Sequence, residues 1–430
     1  MKKKGVRREA HSPSTSRAGE RDAREDVRGD ANATSNEDAR GDASAASNVV
    51  ARETARAARA SSLASLWDGR VAAYVLGVKA LVIFFAAQAY TVWKDERLGS
   101  LYEWLLIWNR WDAPHYLDIA RMGYVREGVE SRWIVFYPLY PWVVRAVSLL
   151  LRDELVAAFL VSALASVAAG LLLYRLALLD EGERVARASV LFMFVFPTSY
   201  FLHIGYTESL FLALALAAML AARARRWPLA GVLGALACMT RVNGLALLPA
   251  LAFEAWEEYR AGGRLVRARW LWALLPASGF GVYLLINWTA GGHPLAFLQT
   301  QDKYWYRTFA WPWDAIAAAW RLAQGAKPSD ALMVGWQEFF FVLLGLVLTV
   351  WAWLRMRASY AAWMTFNWLL WTCTKFVLSV PRYTLVLFPA YILFARASAR
   401  RPEAGALIAI WSLLFLSLFL ARFSQGYWAF

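Results

Sequence analysis

Long apolar runs follow one another through almost the whole chain after residue 70, and they restrict its fold more than any other feature. A lipid bilayer accepts this much apolar surface, whereas a soluble domain of the same length cannot hide it, since 59% of the 430 residues are hydrophobic. The sequence therefore predicts an all-α polytopic membrane protein whose transmembrane domain occupies residues 63–430. It should contain about 11 transmembrane helices, near residues 71–93, 155–178, 187–203, 206–222, 228–240, 243–257, 270–290, 333–355, 359–377, 381–397 and 404–422.

Residues 1–62 have a different composition. They are rich in Ala, Arg, Ser, Asp and Glu and contain no aromatic residue. Such a segment buries too little apolar surface to offset the entropy of ordering it, so we expect it to be disordered. Lysines 2–4 are not followed by an apolar run, which argues against a signal peptide. We therefore expect a solvated tail on the cytoplasmic side.

The segment 136–151 decides the predicted topology. Pro138 and Pro141 lie near its start and Arg145 in its middle, which makes it a poor spanning helix. We place it on the outer surface as an interfacial or re-entrant helix. With the N-terminus inside, all the arginine clusters between the apolar runs then lie on the cytoplasmic side, where positive charge at span ends is favoured. These clusters are Arg175, Arg184 and Arg187; Arg223, Arg225 and Arg226; Arg260, Arg264, Arg267 and Arg269; Arg355 and Arg357; and Arg396, Arg400 and Arg401.

This topology brings the unusual polar residues to one face of the membrane. Two large loops, 94–154 and 291–332, lie outside, together with three short segments at 197–209, 240–244 and 375–383. The protein is thus predicted to be a multi-pass plasma-membrane protein with an extracytoplasmic site. The candidate site residues are Trp111, Asp112, His115, Tyr116, Tyr137, Tyr206, Glu208, Arg241, Asn243, Lys303, Lys375, Arg382 and Tyr383.

The run from Trp111 to Tyr116 is the strongest candidate for chemistry. Asp112 can act as a general base if a hydroxyl group lies within hydrogen-bond reach. The faces of Trp111 and nearby tyrosines can stack on a sugar ring. If the segment is helical, His115 shares a face with Asp112 and either orients the carboxylate or binds substrate. The alternative is an interfacial aromatic belt that contains an incidental aspartate.

Charged residues near membrane depth are functional candidates because an unpaired charge there is costly. Glu208 and Arg241 either pair with each other to hold the helix bundle or line a cavity open to the outer leaflet. Arg382, with Lys375 a short way before it, either binds an anionic group such as phosphate or anchors a helix end at the interface.

Metal and nucleic-acid sites are not expected. Cys238 and Cys373 both lie within apolar runs, and the chain has only four histidines, which is too few clustered ligands for a metal site. The formal charge of +14 comes mainly from loops between apolar runs, so it reflects membrane topology rather than a nucleic-acid partner. We expect no cofactor and no divalent metal.

Five motifs occur in a familiar order between residues 70 and 400. They are Trp111-Asp112-x-x-His115-Tyr116, Phe136-Tyr137-Pro138-Leu139-Tyr140-Pro141, Tyr206-Thr207-Glu208-Ser209, Thr240-Arg241-x-x-Gly244 and Pro381-Arg382-Tyr383. Together they resemble the PIG-V family, membrane mannosyltransferases of the glycosyltransferase-C superfamily. The resemblance implies a multi-span fold with an extracytoplasmic active site, a polyprenyl-phosphate sugar donor with mannose as the expected sugar, inversion at the anomeric carbon, and Asp112 as the base.

The resemblance implies a single displacement. The acceptor hydroxyl, deprotonated by Asp112, attacks the anomeric carbon, and polyprenyl phosphate leaves with Arg382, and either Lys375 or Arg241, stabilising its charge. The Ala- and Arg-rich composition looks bacterial, so the GPI-anchor acceptor of eukaryotic relatives need not apply. The acceptor can be a glycan, a glycolipid or a protein, and the sequence also leaves arabinose and glucose open as the sugar.

Two other functions are compatible with the apolar runs alone. A transporter or flippase for lipid-linked sugars would distribute polar residues across the bilayer depth rather than gather them at one face. A non-enzymatic membrane protein that binds anionic lipid or glycolipid would not need the Asp112 carboxylate.

Overall fold

The computed structural model describes residues 67–261, 265–325 and 327–430, and this part of the chain consists of helices and their connections. The predicted disorder of residues 1–62 lies outside the described residues. The α-helices are α1 (Gly69–Lys94), α2 (Leu101–Leu106), α3 (Ala113–Met122), α4 (Leu139–Leu151), α5 (Glu154–Leu178), α6 (Glu183–Val195), α7 (Glu208–Arg223), α8 (Trp227–Thr240), α9 (Leu247–Ala261), α10 (Pro276–Gly291), α11 (Ala296–Trp305), α12 (Pro312–Ala323), α13 (Gln337–Arg355), α14 (Ala358–Thr372), α15 (Val380–Thr384), α16 (Phe388–Arg400) and α17 (Pro402–Ser424).

Shorter elements connect these helices. Four of them are 3-10 helices, at Val129–Val135, Ser199–Leu202, Val242–Ala246 and Ala268–Leu274. A single helical turn at Pro328–Asp330 leads into a π-helix at Ala331–Trp336. The all-α prediction is confirmed for the described residues.

Helix length separates the predicted spans into two groups. Within the described residues, five helical stretches are long and apolar enough to cross a bilayer: Gly69–Lys94, Glu154–Leu178, Ala268–Gly291, Pro328–Arg355 and Pro402–Ser424. The other predicted runs are also helical, but they are shorter or interrupted. Prolines and polar segments shorten the helices that surround the centre of the molecule. The total of about 11 spans, several of them short, stays a prediction.

The segment that decided the predicted topology is sharply bent. The 3-10 helix Val129–Val135 and α4 meet at an angle of 117°, which fits either a broken span or a re-entrant loop. Pro138 lies at this corner, just before α4. A single straight span across residues 129–151 is thus excluded. The placement of residues 136–151 on the outer surface stays a prediction.

Helix α7 lies at the centre of the bundle. It packs against α5 on one side and α8 on the other. Most of its residues are buried, including Phe211, Leu216 and Met219, and the many alanines of α5 and α7 let the two helices approach closely. Because α7 begins at Glu208, the first carboxylate of this central helix is fully buried as well. The buried position of Glu208 determines where the candidate site lies.

Candidate active site

One cavity of about 430 Å³ gathers the segments that were predicted to meet outside the membrane. Both large loops and the three short segments contribute side chains to it, so the predicted convergence in space is confirmed. The lining residues are Trp111, Asp112, His115, Tyr116, Val135, Phe136, Tyr137, Thr207, Thr240, Arg241, Val242, Asn243, Gln301, Trp305, Arg307, Leu370, Trp371, Leu378, Ser379, Arg382, Tyr383, Trp428 and Phe430.

A backbone kink presents the first motif to this cavity. Trp111 has φ of 56°, in the left-handed region that a bulky residue rarely adopts. Asp112 follows as the residue that precedes α3, with Pro114 in the first turn of the helix. The Asp112 side chain is 29% exposed. Trp111 packs edge-on against Trp428, with 5.0 Å between ring centroids.

Arg382 holds the Asp112 carboxylate. Its Nη1 donates to Asp112 Oδ2 at 2.6 Å, and its Nε donates to Glu208 Oε1 at 2.5 Å. The guanidinium also lies over the rings of Phe201 and Tyr206, 4.7 Å from each centroid. With a side chain only 6% exposed, Arg382 joins α15 to the start of α3 and the start of α7.

His115 does not orient Asp112, contrary to one of the two alternatives. No hydrogen bond joins the two side chains in the described ranges, and the His115 ring instead stacks on Trp133 with 3.6 Å between centroids. Burial lowers the pKa of His115, although Asp112 and Asp118 oppose the shift. The imidazole is thus neutral at neutral pH, and its Nδ1 is buried without a partner among the described residues. It lies at the cavity wall as a free hydrogen-bonding group.

Glu208 pairs with two arginines, so the pairing alternative is confirmed. It accepts hydrogen bonds from Arg382 and from Arg241, whose Nη1 also donates to Thr207 Oγ1 at 2.7 Å. Glu208 itself has no exposed surface and does not line the cavity. Its expected contact with substrate is therefore corrected: the two guanidinium groups cover it, and it positions them.

The glycine of the Thr240-Arg241-x-x-Gly244 motif permits this arrangement. A Cβ at Gly244 would lie 2.5 Å from the backbone nitrogen of Cys238. Only glycine lets the chain fold back against the end of α8 here. The tight turn presents Arg241 and Asn243 to the cavity, and the Asn243 amide donates to Asn367 Oδ1 at 2.7 Å.

Arg307 is a cavity residue that the site prediction missed. Its Nη2 donates to Tyr383 Oη at 2.7 Å and to the carbonyl of Leu378 at 2.9 Å, and both partners are neutral. Tyr306 has φ of 54°, which ends α11 and turns the chain so that Arg307 reaches the cavity. Three guanidinium groups and one carboxylate thus line the cavity, namely those of Arg241, Arg307, Arg382 and Asp112.

Two predicted lysines do not reach the cavity. Lys303 lies on the outer side of α11, is exposed, and contacts the ring of Tyr304 at 5.3 Å. Lys375 is also exposed, and its backbone nitrogen donates to Thr308. Both were expected at the site because they lie in converging segments, but their side chains leave these segments in other directions.

The predicted aromatic residues divide into two sets. Tyr116, Tyr137 and Tyr383 line the cavity, and Tyr137 stacks on Tyr283 with 4.0 Å between centroids. Tyr206 lies behind the wall, fully buried, and donates to the carbonyl of Arg110 at 2.6 Å. It supports Arg382 instead of contacting a ligand.

The described residues contain no group of three or more His, Cys, Asp or Glu side chains that could hold a metal ion.

Part of the chain is similar to a family of known proteins. Residues 137–287 match the family model described as dolichyl-phosphate-mannose-protein mannosyltransferase. The chain is 36% identical over 152 residues to GPI alpha-1,6-mannosyltransferase 2 of Mus musculus. This alignment covers 33% of this chain and 30% of that protein. It is 31% identical over 144 residues to GPI mannosyltransferase 2 of Schizosaccharomyces pombe, covering 32% of this chain and 30% of that protein. The match to these two curated relatives therefore spans under a third of their length.

The fold is similar to that of one solved structure. The crystal structure of ArnT from Cupriavidus metallidurans, bound to undecaprenyl phosphate, superimposes with a TM-score of 0.50 at 15% identity, and the match covers 81% of this chain and 70% of that chain. The chain is a multi-pass membrane protein of this fold, and it contains a mannosyltransferase-family segment homologous to GPI mannosyltransferase 2. The resemblance to the PIG-V family is thereby confirmed.

Proposed function

We propose that this protein is an inverting glycosyltransferase that moves a sugar, with mannose as the expected one, from a polyprenyl-phosphate donor to an acceptor hydroxyl at the extracytoplasmic membrane face. The observation that carries the proposal is a single cavity in which one carboxylate, Asp112, faces three guanidinium groups. This cavity lies in a chain homologous to mannosyltransferases.

Asp112 is the proposed base. The acceptor hydroxyl loses its proton to the carboxylate as its oxygen forms a bond to the anomeric carbon. The bond between that carbon and the phosphate oxygen breaks on the opposite side, and polyprenyl phosphate leaves with the bonding electrons. Arg382 keeps the carboxylate in place during this step through the 2.6 Å contact to Asp112 Oδ2.

The donor phosphate is assigned to the arginine wall. Arg382 is already bound to two carboxylates and Arg241 to one, whereas the hydrogen bonds of Arg307 go to neutral oxygens. The buried Glu338 carboxylate acts on Arg307 through space, but no hydrogen bond or ion pair joins the two within the described residues. A guanidinium that is not bonded to a carboxylate has more to gain from a phosphate. Arg307 therefore becomes the main phosphate ligand in this proposal, with Arg241 and Arg382 beside it to stabilise the leaving group.

The remaining walls suit a sugar and an isoprenoid. Trp111, Trp305 and the neutral His115 border the cavity and offer ring faces and a hydrogen-bonding nitrogen to sugar hydroxyls. Leu370, Trp371 and Leu378 form an apolar part of the lining that suits the first units of the lipid chain. A lipid phosphate also fits the fold, because the ArnT structure holds undecaprenyl phosphate.

The direct test uses the full chain in lipid nanodiscs. We would incubate it with radiolabelled polyprenyl-phosphate mannose, glucose or arabinose and with membrane extract as acceptor, and score transfer or hydrolysis. We expect turnover of the mannose donor and an inverted product by NMR. Movement of the lipid-linked sugar across a vesicle membrane without any transfer would instead favour a flippase, and a retained anomeric configuration would contradict the single displacement.

Arg307→Ala is expected to raise the donor KM by on the order of tenfold or more, with a smaller change in kcat, because a charge-assisted contact to the phosphate is lost. Arg307→Lys should recover only part of the affinity, since an ammonium lacks the bidentate geometry. Steady-state kinetics with the donor varied provide the measurement. Lys303→Ala, which removes a nearby charge outside the cavity, is the matched control and should behave like the unchanged protein. Equal effects of the two variants would remove the phosphate assignment.

The proposed orientation predicts a labelling pattern. In a Cys373→Ser background, where Cys238 is buried, Gln324→Cys should react with a membrane-impermeant thiol reagent in intact cells. Gly182→Cys, in the exposed turn between α5 and α6, should react only after permeabilisation. A Cβ at Gly182 meets no atom within 4 Å, so the substitution is tolerated. The reverse labelling pattern would invert the topology and move the site to the cytoplasm.

A further inference from the structure

A second cavity lies at the far end of the helices that carry the candidate site. Its volume is about 580 Å³, and it lies between the end of α13, the end of α16 and the start of α17. Glu338, near the start of α13, binds the backbone of Ser379 and Val380 at the candidate site. Arg355, which borders the cavity, lies 17 residues after Glu338 and therefore about 25 Å away along the helix at 1.5 Å per residue.

Four arginines border this cavity, and only one of them has a carboxylate partner among the described residues. Arg396 donates its Nε to Glu181 at 2.6 Å and its Nη1 to the carbonyl of Arg355 at 2.6 Å, which ties α16 to the end of α13. Arg355, Arg400 and Arg401 are exposed and have no ion pair within the described ranges. The cavity therefore has three positive charges that nothing in this part of the structure neutralises.

Two other arginines at the same end of the bundle are paired. Arg223 binds Asp180 at 2.9 Å, and Arg357 binds Glu254 at 3.1 Å. Positive charge at span ends explains why arginines occur here at all. It does not explain why three arginines without an ion pair border one cavity whose lining contains no carboxylate. An anion in the cavity would explain this grouping.

The other walls of the cavity are apolar. Trp351, Leu354 and Leu393 line it, and Leu354 is 73% exposed. Two of the three helices that bound it, α13 and α17, belong to stretches of membrane-spanning length. Their outer faces expose apolar side chains such as Val347 and Leu407, as expected for surfaces that contact lipid. The cavity thus combines positive charge, which suits a lipid headgroup, with apolar surface, which suits acyl chains.

We propose that this cavity binds the phosphate headgroup of an anionic membrane phospholipid, whose acyl chains run along α13 and α17. Guanidinium groups match phosphate oxygens in charge and in bidentate geometry, and basic pockets between membrane helices are suited to such headgroups. A zwitterionic headgroup adds its own positive charge to a site that already has three. The site is separate from the candidate active site and does not depend on the proposed transfer reaction.

The test uses the full chain, purified in neutral detergent and stripped of lipid. Phosphatidylglycerol, phosphatidylcholine or inorganic phosphate is added, and binding is followed by native mass spectrometry and by thermal unfolding. We expect retention of phosphatidylglycerol with a rise of several degrees in Tm, and little effect of phosphatidylcholine or inorganic phosphate. The triple variant Arg355→Gln, Arg400→Gln, Arg401→Gln should bind phosphatidylglycerol at least fivefold more weakly.

A second triple variant separates a site from overall charge. Arg152→Gln, Arg260→Gln, Arg321→Gln removes the same number of exposed arginines that have no ion pair in the described ranges and lie outside the cavity, and it should bind like the unchanged protein. If the first triple variant folds poorly, Leu354→Asp provides a second test. It keeps all arginines but adds a carboxylate to the cavity wall, and it should also weaken binding of phosphatidylglycerol. Equal loss in both triple variants, or no preference of the unchanged protein for phosphatidylglycerol, would overturn the proposal. Equal stabilisation by inorganic phosphate would reduce the cavity to a small-anion site.

Discussion

Asp112→Asn is expected to lower the turnover number by on the order of a hundredfold or more while donor affinity stays within a few-fold of the unchanged protein. Asparagine has the size of aspartate, and its Oδ1 can still accept the hydrogen bond from Arg382. It cannot take the proton of the attacking hydroxyl. The loss should therefore appear in the chemical step, which single-turnover measurement of transfer from a labelled donor reports directly.

Asp118→Asn is the matched control for this variant. Asp118 lies on the same helix α3, is half-buried, and does not line the cavity. It should leave both turnover and donor affinity unchanged. Asp112→Glu should retain little activity, because one added methylene moves the carboxylate out of line. A well-folded Asp112→Asn protein with near-normal turnover would end the assignment of Asp112 as the base.

Glu208→Ala is expected to destabilise the folded protein by about 3–5 kcal/mol, because it leaves two buried guanidinium groups without their shared partner. Glu208 is fully buried and accepts hydrogen bonds from both Arg241 and Arg382. The variant should show a much lower Tm in detergent and a low yield of folded protein. Thermal unfolding followed by intrinsic tryptophan fluorescence measures this effect.

The neighbouring residue provides the control. Ser209 is equally buried, and its Oγ has no hydrogen-bond partner among the described residues, so Ser209→Ala should change the Tm little. The double variant Glu208→Gln, Arg241→Gln should be more stable than Glu208→Ala, because it removes one charge from each side of the pair. Normal stability of Glu208→Ala would show that the two arginines find other partners and that Glu208 does not hold them.

Hydropathy and charge brought together the segments that line the cavity, but they did not predict the contacts between the side chains. Asp112 and Arg382 are separated by 270 residues in the chain, and topology alone put both at one face. It could not show that they touch, because that depends on how α3, α7 and α15 pack. The same limit made His115 a candidate partner of Asp112, although the imidazole stacks on Trp133 instead.

Local backbone conformation explains why the sequence-based prediction omitted one cavity residue and included a residue that lies outside the cavity. Arg307 faces the cavity because Tyr306 takes a left-handed conformation, and no periodic pattern predicts such a residue. Lys303 lies only four positions earlier, yet it points outward from α11. Hydropathy likewise detects apolar runs but not the breaks within them. One such break separates α15 from α16, and Pro389 lies in the first turn of α16.

Arg382 belongs at once to the interior of the bundle and to the wall of the cavity. Its planar group lies on two buried rings and joins the carboxylate at the head of the central helix to the carboxylate proposed to take the proton. Shifts in how α7 packs are therefore transmitted to the reacting group through a single rigid side chain. Under the proposed function, sequence changes deep in the bundle are constrained by chemistry at its edge, and the stability of this protein does not evolve independently of its turnover rate.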